Sequence, residues 1–297
     1  MKATVQYRPI CAIALAPWEV EDVIDAAAAS GGRVTAGHGA YRVSVSPSKG
    51  DTVKLSLDKP GCRVDTSVSI SMLRSLRNER RILLAAGDRL GIAEIRRHRY
   101  YKLVPTVPGS APTLEIDGIH MHRVSGSDPI RDTRSKIAEA RIRAGTEVLD
   151  TCMGLGYTAI ASLLRGARRV VTVEIDRNVI ELSRVNPWSW RLSDDRIEIV
   201  HADVTEYIGT LEKESFDRVI HDPPRITGSS GPLYSIDFYR ELYRVLRRRG
   251  VLFHYTGEPG RKHGANFPGR VASKLKRAGF RVVRYSRRAL GLVAVKD

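Results

Sequence analysis

The sequence predicts an α/β protein with a Rossmann-like, mostly parallel sheet that ends in an antiparallel hairpin, and a smaller N-terminal α+β domain. Three observations predict it. From about residue 126, strand and helix patterns alternate, which is the signature of βα units. Before about residue 125, short period-2 runs are separated by turn residues. At 297 residues the chain is long for one domain and comfortable for two. The expected division is an N-terminal domain over 1–125, a candidate for substrate recognition, and a second domain over 126–297.

The elements follow in order. Cys11 to Ala16 is an apolar patch too short for a signal sequence, with acids close behind it, so it reads as a buried strand. "PWEVEDVIDAAAAS" is a helix pattern. "YRVSVS" and "TVKLSL" flank "PSKGD" as a hairpin. "SVSISMLRSLRNERRILLAAGDRL" is expected to be a second helix, "VPTVPGSAP" a connector, and "TLEIDGIHMHR" a strand or hairpin. Beyond the boundary, "EVLDTCMGLGYTAIASLL" is strand, glycine turn and helix. "RVVTVEI", "RIEIVHAD", "FDRVIHD" and "GVLFHYT" are further strands. "DRNVIELSRVNPW" and "SIDFYRELYRVLRRRG" are helices, the latter with Ile236, Tyr239, Leu242 and Leu246 on one face and Gly250 as its stop. Pro268 to Ala278 is a helix, and "FRVVRYS" with "GLVAVK" closes the chain as a hairpin.

Composition excludes several classes. No apolar run is long enough to cross a bilayer, so a cytoplasmic protein without membrane contact is expected. Three scattered cysteines, Cys11, Cys62 and Cys152, offer neither a disulfide framework nor a zinc pattern. His120 and His122 share a strand face but lack a third ligand, so no metal is expected. The net charge of +16, with arginine far in excess of lysine, points to a polyanionic partner, RNA being the expected one, or else to a compositional bias of the genome. The run from Met72 to Lys102 is rich in arginine and carries two tyrosines, a footprint that suits nucleic acid or simply a solvated face.

The chemistry concentrates at strand ends. "VLDTCMGLGYTA" places Asp150 before Gly154 and Gly156, residues that allow a tight turn and close approach of a ligand. Glu174 follows about twenty residues later, where an acid suits ribose hydroxyls, and Asp203 ends the next strand. With Ala159 where a GxGxxG/A pattern would end, a nicotinamide dinucleotide is a competing ligand on the glycines alone.

These residues resemble the class I S-adenosylmethionine-dependent methyltransferases over about 126–297. "LEIDGIHMHR", "HDPPR", "LYSIDFYRELYRVL" and "FHYTGEPG" further resemble an archaeal group of predicted methyltransferases. The resemblance implies S-adenosylmethionine as cofactor. Asp150, Thr151, Met153, Gly154 and Gly156 would lie about its methionine part, Glu174 would hold the ribose and Asp203 the adenine amino group.

"HDPPR" would begin the fourth motif. Two prolines fix the backbone after a strand, so Asp222, Pro223 and Pro224 can be preorganised to orient an acceptor amine. The related motif of amino-group methyltransferases has an aromatic residue where this chain has Arg225, whose guanidinium can stack or grip a phosphate. Arg225, His254 and Tyr255 are the expected substrate contacts, with His221 beside them. "DPPR" also resembles enzymes that methylate C5 of uracil, but the following strand lacks their cysteine, and Cys152 sits in the cofactor loop. N-methylation of tRNA or rRNA is therefore the expected function. The alternatives are methylation of a protein or small-molecule amine, and aminopropyl transfer of the spermidine synthase type, which "DGIHMHR" and "LYSIDFYRELYRVLRRRGVL" resemble. A non-catalytic RNA-binding protein is a further alternative.

Overall fold

The computed structural model describes residues 3–225, 230–257 and 266–297. Of the phrase "FHYTGEPG", Glu258, Pro259 and Gly260 lie outside the described residues. The chain forms two compact units. One comprises Met1–Tyr7, Arg131–Arg177 and Leu192–Asp297; the other comprises Arg8–Ile130 and Asn178–Arg191.

The first unit is built on an eight-stranded sheet. Its strands are β1 (Ala3–Val5), β2 (Glu147–Asp150), β3 (Arg169–Glu174), β4 (Ile197–His201), β5 (Phe216–His221), β6 (Leu246–Tyr255), β7 (Val282–Ser286) and β8 (Gly291–Val295). Their order is β1-β4-β3-β2-β5-β6-β8-β7. The five central strands β4, β3, β2, β5 and β6 run parallel. β1 is antiparallel at one edge, and β8 with β7 forms the closing antiparallel hairpin. The expected Rossmann-like architecture is therefore present, with its order reversing beside β2. Open α/β sheets bind ligands at such a switch point.

The central strands are apolar runs because helices cover both faces of a parallel sheet. Val170, Val171 and Val173 of β3 are buried, as are Leu252 and Phe253 of β6. The helices of this segment of the chain are α1 (Pro129–Glu139), α2 (Tyr157–Leu164), α3 (Arg177–Arg184), α4 (Val204–Tyr207), α5 (Ile236–Val245) and α6 (Phe267–Arg277); all belong to this unit except α3, which lies in the other unit from Asn178 on, and the first two residues of α1. Ser235 caps α5 by accepting from the Phe238 N–H at 3.1 Å. Phe238, Tyr239, Leu242 and Val245 form the buried stripe of α5, packed with Leu246, Leu252 and Leu275 in one core.

Two sequence expectations need correction. The helix from Ser235 does not run to Gly250: it ends at Val245, and Leu246 already begins β6. The reason lies far away in sequence. Lys296 Nζ donates to the carbonyls of Tyr243 and Leu246 at 2.9 and 2.6 Å, closing the helix end. Gly250 is a close-packed strand residue, where an added Cβ would lie 2.7 Å from the Arg247 carbonyl oxygen. The second correction concerns the long helix expected from Ser67. That stretch holds the end of a strand, a short helix Ile70–Leu76 and two strands, Leu83–Ala86 and Arg89–Ile92.

The second unit contains antiparallel sheets of three and four strands around its own core. Gly32–Ala36, Tyr41–Pro47, Thr52–Lys59 and Cys62–Ser69 form a meander, including the hairpin expected around "PSKGD". Ile13–Leu15 pairs with Leu83–Ala86 as a fully buried strand, and helix Pro17–Ala28 lies where its pattern predicts. Thr113–Ile116 and Ile119–His120 form the hairpin read from "TLEIDGIHMHR". The tryptophans of "NPWSWR" pack internally. Trp190 stacks on Tyr41 at 5.8 Å, and the Trp188 indole donates to the Gly37 carbonyl at 3.1 Å.

Candidate active site

The loop after β2 is stitched to both neighbouring strands. The Thr151 N–H donates to the Ile220 carbonyl at 3.0 Å, and the Met153 N–H to that of Val173 at 2.8 Å. Gly154 and Gly156 adopt φ of +53° and +77°, a region open to glycine at little cost. At Gly156 a Cβ would lie 2.6 Å from the Leu192 side chain, so this glycine is required by packing. At Gly154 no atom of the described residues, its chain neighbours aside, lies within 4 Å of an added Cβ, so its outer face is open among them. Such a cradle fits the close approach of a ligand to the backbone.

The acids take different roles. Asp150 is fully buried; its Oδ2 accepts from the Thr158 and Thr172 hydroxyls at 3.0 and 2.9 Å, and its Oδ1 has no partner among the described residues. Burial pushes its carboxyl up to about 7. Asp150 therefore braces the loop from below. Glu174 accepts the Gly154 N–H at 2.9 Å through Oε2 and the Asp176 N–H at 3.0 Å through Oε1. Burial raises its pKa to about 7 despite these bonds. Asp203 caps α4, accepting from the Thr205 N–H at 2.8 Å and hydroxyl at 2.7 Å through one oxygen.

At the end of β5, Asp222 belongs to a triad. Lys136 Nζ donates to Asp222 Oδ2 at 2.6 Å and to Asp132 Oδ2 at 2.7 Å. Lys136 and Asp132 project one turn apart from α1. The ammonium also lies 4.5 Å from the centre of the Tyr255 ring. The prolines do fix the chain: Pro223 is buried, and the Pro224 carbonyl accepts from the buried Tyr234 hydroxyl at 2.9 Å. Pro224 and Arg225 are exposed.

The histidines are core residues. His254, expected among the substrate contacts, is fully buried and bonded to the Tyr239 hydroxyl at 2.9 Å. His221 is equally buried, bonded through Nδ1 to the Thr151 hydroxyl at 2.7 Å and through Nε2 to the Leu233 carbonyl at 3.0 Å. Burial lowers its pKa to about 3 and lowers that of His254 well below the usual value, so both rings are neutral. Neither is placed to meet a substrate. His221 braces Thr151 of the glycine loop, and His254 is tied to Tyr239 of α5.

Asp150, Glu174, Asp203 and Asp222 thus follow four adjacent strands at one end of the sheet, and the glycine loop lies among them. Asp132 and Lys136 escaped the sequence reading. Their four-residue spacing resembles an ordinary surface ion pair, and nothing local reveals that both are buried. Ile175, next to Glu174, also escaped notice; it is 63% exposed.

Residues 154–283 match the family described as "Spermine/spermidine synthase domain". That span is similar to spermidine synthase-type domains, and it lies within the Rossmann-like α/β fold described above. The chain is 45% identical to Uncharacterized protein MJ1233 of Methanocaldococcus jannaschii over 231 residues, covering 77% of this chain and 78% of that protein. It belongs to the same family as that archaeal protein. It is also 27% identical to a polyamine aminopropyltransferase of Thermoplasma volcanium over 155 residues, covering 52% of this chain and 54% of the relative. Among solved structures, a spermidine synthase in complex with the transition-state analogue AdoDATO has a TM-score of 0.56 at 21% identity, covering 69% of this chain and 73% of the other. That likeness shows the fold.

These findings overturn N-methylation of RNA as the principal reading. The family match is to spermine and spermidine synthases, and relatives in the same fold are aminopropyltransferases. Asp222 is held by a buried lysine and Arg225 is exposed, so the local run Asp-Pro-Pro-Arg does not by itself describe the charge an acceptor meets.

Proposed function

We propose that this chain is an aminopropyltransferase. It moves the aminopropyl group of decarboxylated S-adenosylmethionine to an amine. The observation that carries this reading is the spermine/spermidine synthase match over 154–283, a span that contains Gly154 and Gly156 of the loop and the ends of β3, β4 and β5.

The residues suit the chemistry. The open face at Gly154 admits the sulfonium donor close to the backbone. Glu174 and Asp203 offer carboxylates to its adenosine, and the exposed Ile175 side chain offers an apolar surface to the purine. Asp222 is the carboxylate nearest the reacting end and takes the proton of the acceptor. The freed nitrogen attacks the methylene carbon attached to sulfur. The N–C bond forms as the C–S bond breaks, and the electron pair passes to sulfur, leaving methylthioadenosine. Because a sulfonium is a strong leaving group, the protein's contribution is chiefly to position donor and acceptor.

The test is a direct competition between donors. Purified protein is given either S-adenosylmethionine or its decarboxylated form, each with a set of amines and with RNA. Release of methylthioadenosine, together with an amine heavier by one aminopropyl group, is the expected result. Release of S-adenosylhomocysteine instead would overturn the reading. RNA is proposed as a partner through the charge of +16, separately from the acceptor.

A further inference from the structure

The candidate acceptor site already contains an alkylammonium of the chain's own. Lys136 Nζ sits between Asp132 and Asp222 at 2.7 and 2.6 Å, with the Tyr255 ring centre 4.5 Å away. Two carboxylates and an aromatic face are the chemistry that recognises an ammonium group. Burial opposes the charge on Lys136, but Asp222 and Asp132 outweigh it and the ammonium stays protonated. Lys136 and Asp132 are 3% and 2% exposed, whereas the Asp222 side chain is 22% exposed. The lysine is therefore a sealed part of the site, and Asp222 is the member a substrate can reach.

Charge counting then limits the acceptor. Within this triad, two carboxylates and one ammonium leave a single net negative charge. A diamine makes two demands: one carboxylate for the proton of its reacting nitrogen and another for its distal ammonium. Here the second demand is met by Lys136. We propose that Lys136 takes the place of the distal ammonium of a diamine, so that the acceptor is a primary amine with no second cationic nitrogen. The proposal rests on the aminopropyltransferase reading and narrows its substrate class. In the step it implies, the acceptor ammonium gives its proton to Asp222 and the neutral nitrogen attacks the methylene carbon. The products are a secondary ammonium and a neutral thioether.

The experiment uses the full chain with decarboxylated S-adenosylmethionine and compares n-butylamine with 1,4-diaminobutane. Methylthioadenosine release and product mass are measured. A kcat/KM at least tenfold higher for n-butylamine is expected. Preference for the diamine would overturn the proposal and leave the aminopropyltransferase reading intact. No release with any amine would overturn both. Lys136→Ser opens the space between the carboxylates and is expected to lower the KM for 1,4-diaminobutane at least tenfold, while Lys136→Arg keeps the wild-type preference. A folded Lys136→Ser protein with unchanged preference would overturn the proposal. The wild-type comparison stands whether or not that variant folds.

Discussion

At the scale of single residues, the same side chain type serves different ends according to what surrounds it. Asp222 is reachable and paired, and it is the expected proton acceptor. Asp222→Asn should lower kcat for aminopropyl transfer by about 10²- to 10⁴-fold, the range for loss of a positioned acid–base group, with methylthioadenosine affinity unchanged by calorimetry. Asp150 is sealed, with a pKa raised to about 7, as is that of Glu174. Both hold a proton in the folded state to higher pH than in the unfolded chain. Their contribution to stability is therefore complete below about pH 4 and lost as pH rises through about 7. Asp150→Asn keeps the neutral form at every pH. Thermal melts should show the variant gaining on wild type between pH 5 and 8, with the difference vanishing near pH 4.

At the scale of elements, the glycine loop separates folding from binding. Gly154 and Gly156 both have positive φ, but only Gly156 is closely packed, against Leu192. Gly156→Ala should lower the melting temperature markedly, because strain and a clash act together. Gly154→Ala should cost only about 1 kcal/mol, the penalty of a left-handed backbone for an L-residue. Its Cβ points into the open face, so donor binding should weaken more than tenfold in titration calorimetry while the fold persists. Equal effects of the two substitutions on binding and stability would contradict this division. Sequence pattern foretold the strands and the loop here, since period and glycine spacing are local properties. It misplaced the end of α5, because the lysine that closes that helix follows the last strand.

At the scale of the whole molecule, each unit has a hydrophobic core of its own among the described residues. All three tryptophans, Trp18, Trp188 and Trp190, belong to the unit containing Arg8–Ile130 and Asn178–Arg191. Tryptophan fluorescence therefore reports on that unit, while far-ultraviolet circular dichroism reports on both. Leu55→Ala, in the tryptophan-bearing unit, should cost about 2–5 kcal/mol and shift the fluorescence transition in denaturant. Leu242→Ala, in the other core, should leave that transition in place and shift the dichroism. A common shift of both probes would mean that the chain unfolds as one cooperative body. The net charge belongs to this scale too. Proposed RNA binding should weaken linearly in log K against log salt concentration, and a flat dependence in filter binding would remove RNA as a partner.

The sequence by itself determined the parallel sheet, its closing hairpin, the glycine loop and the acids at four strand ends. These depend on apolar period, turn chemistry and spacing, all of which are written within short windows. Only the tertiary structure decided that His221 and His254 are core rings, that Asp150 is sealed, and that Asp222 carries a lysine. Burial and partnership join residues far apart in the chain, such as Lys136 and Asp222, and no local pattern records which of them will meet. The preference for a methyltransferase over an aminopropyltransferase failed at that same point. The glycine loop and the strand-end acids suit a sulfonium donor of either kind, so the local pattern does not separate the two readings.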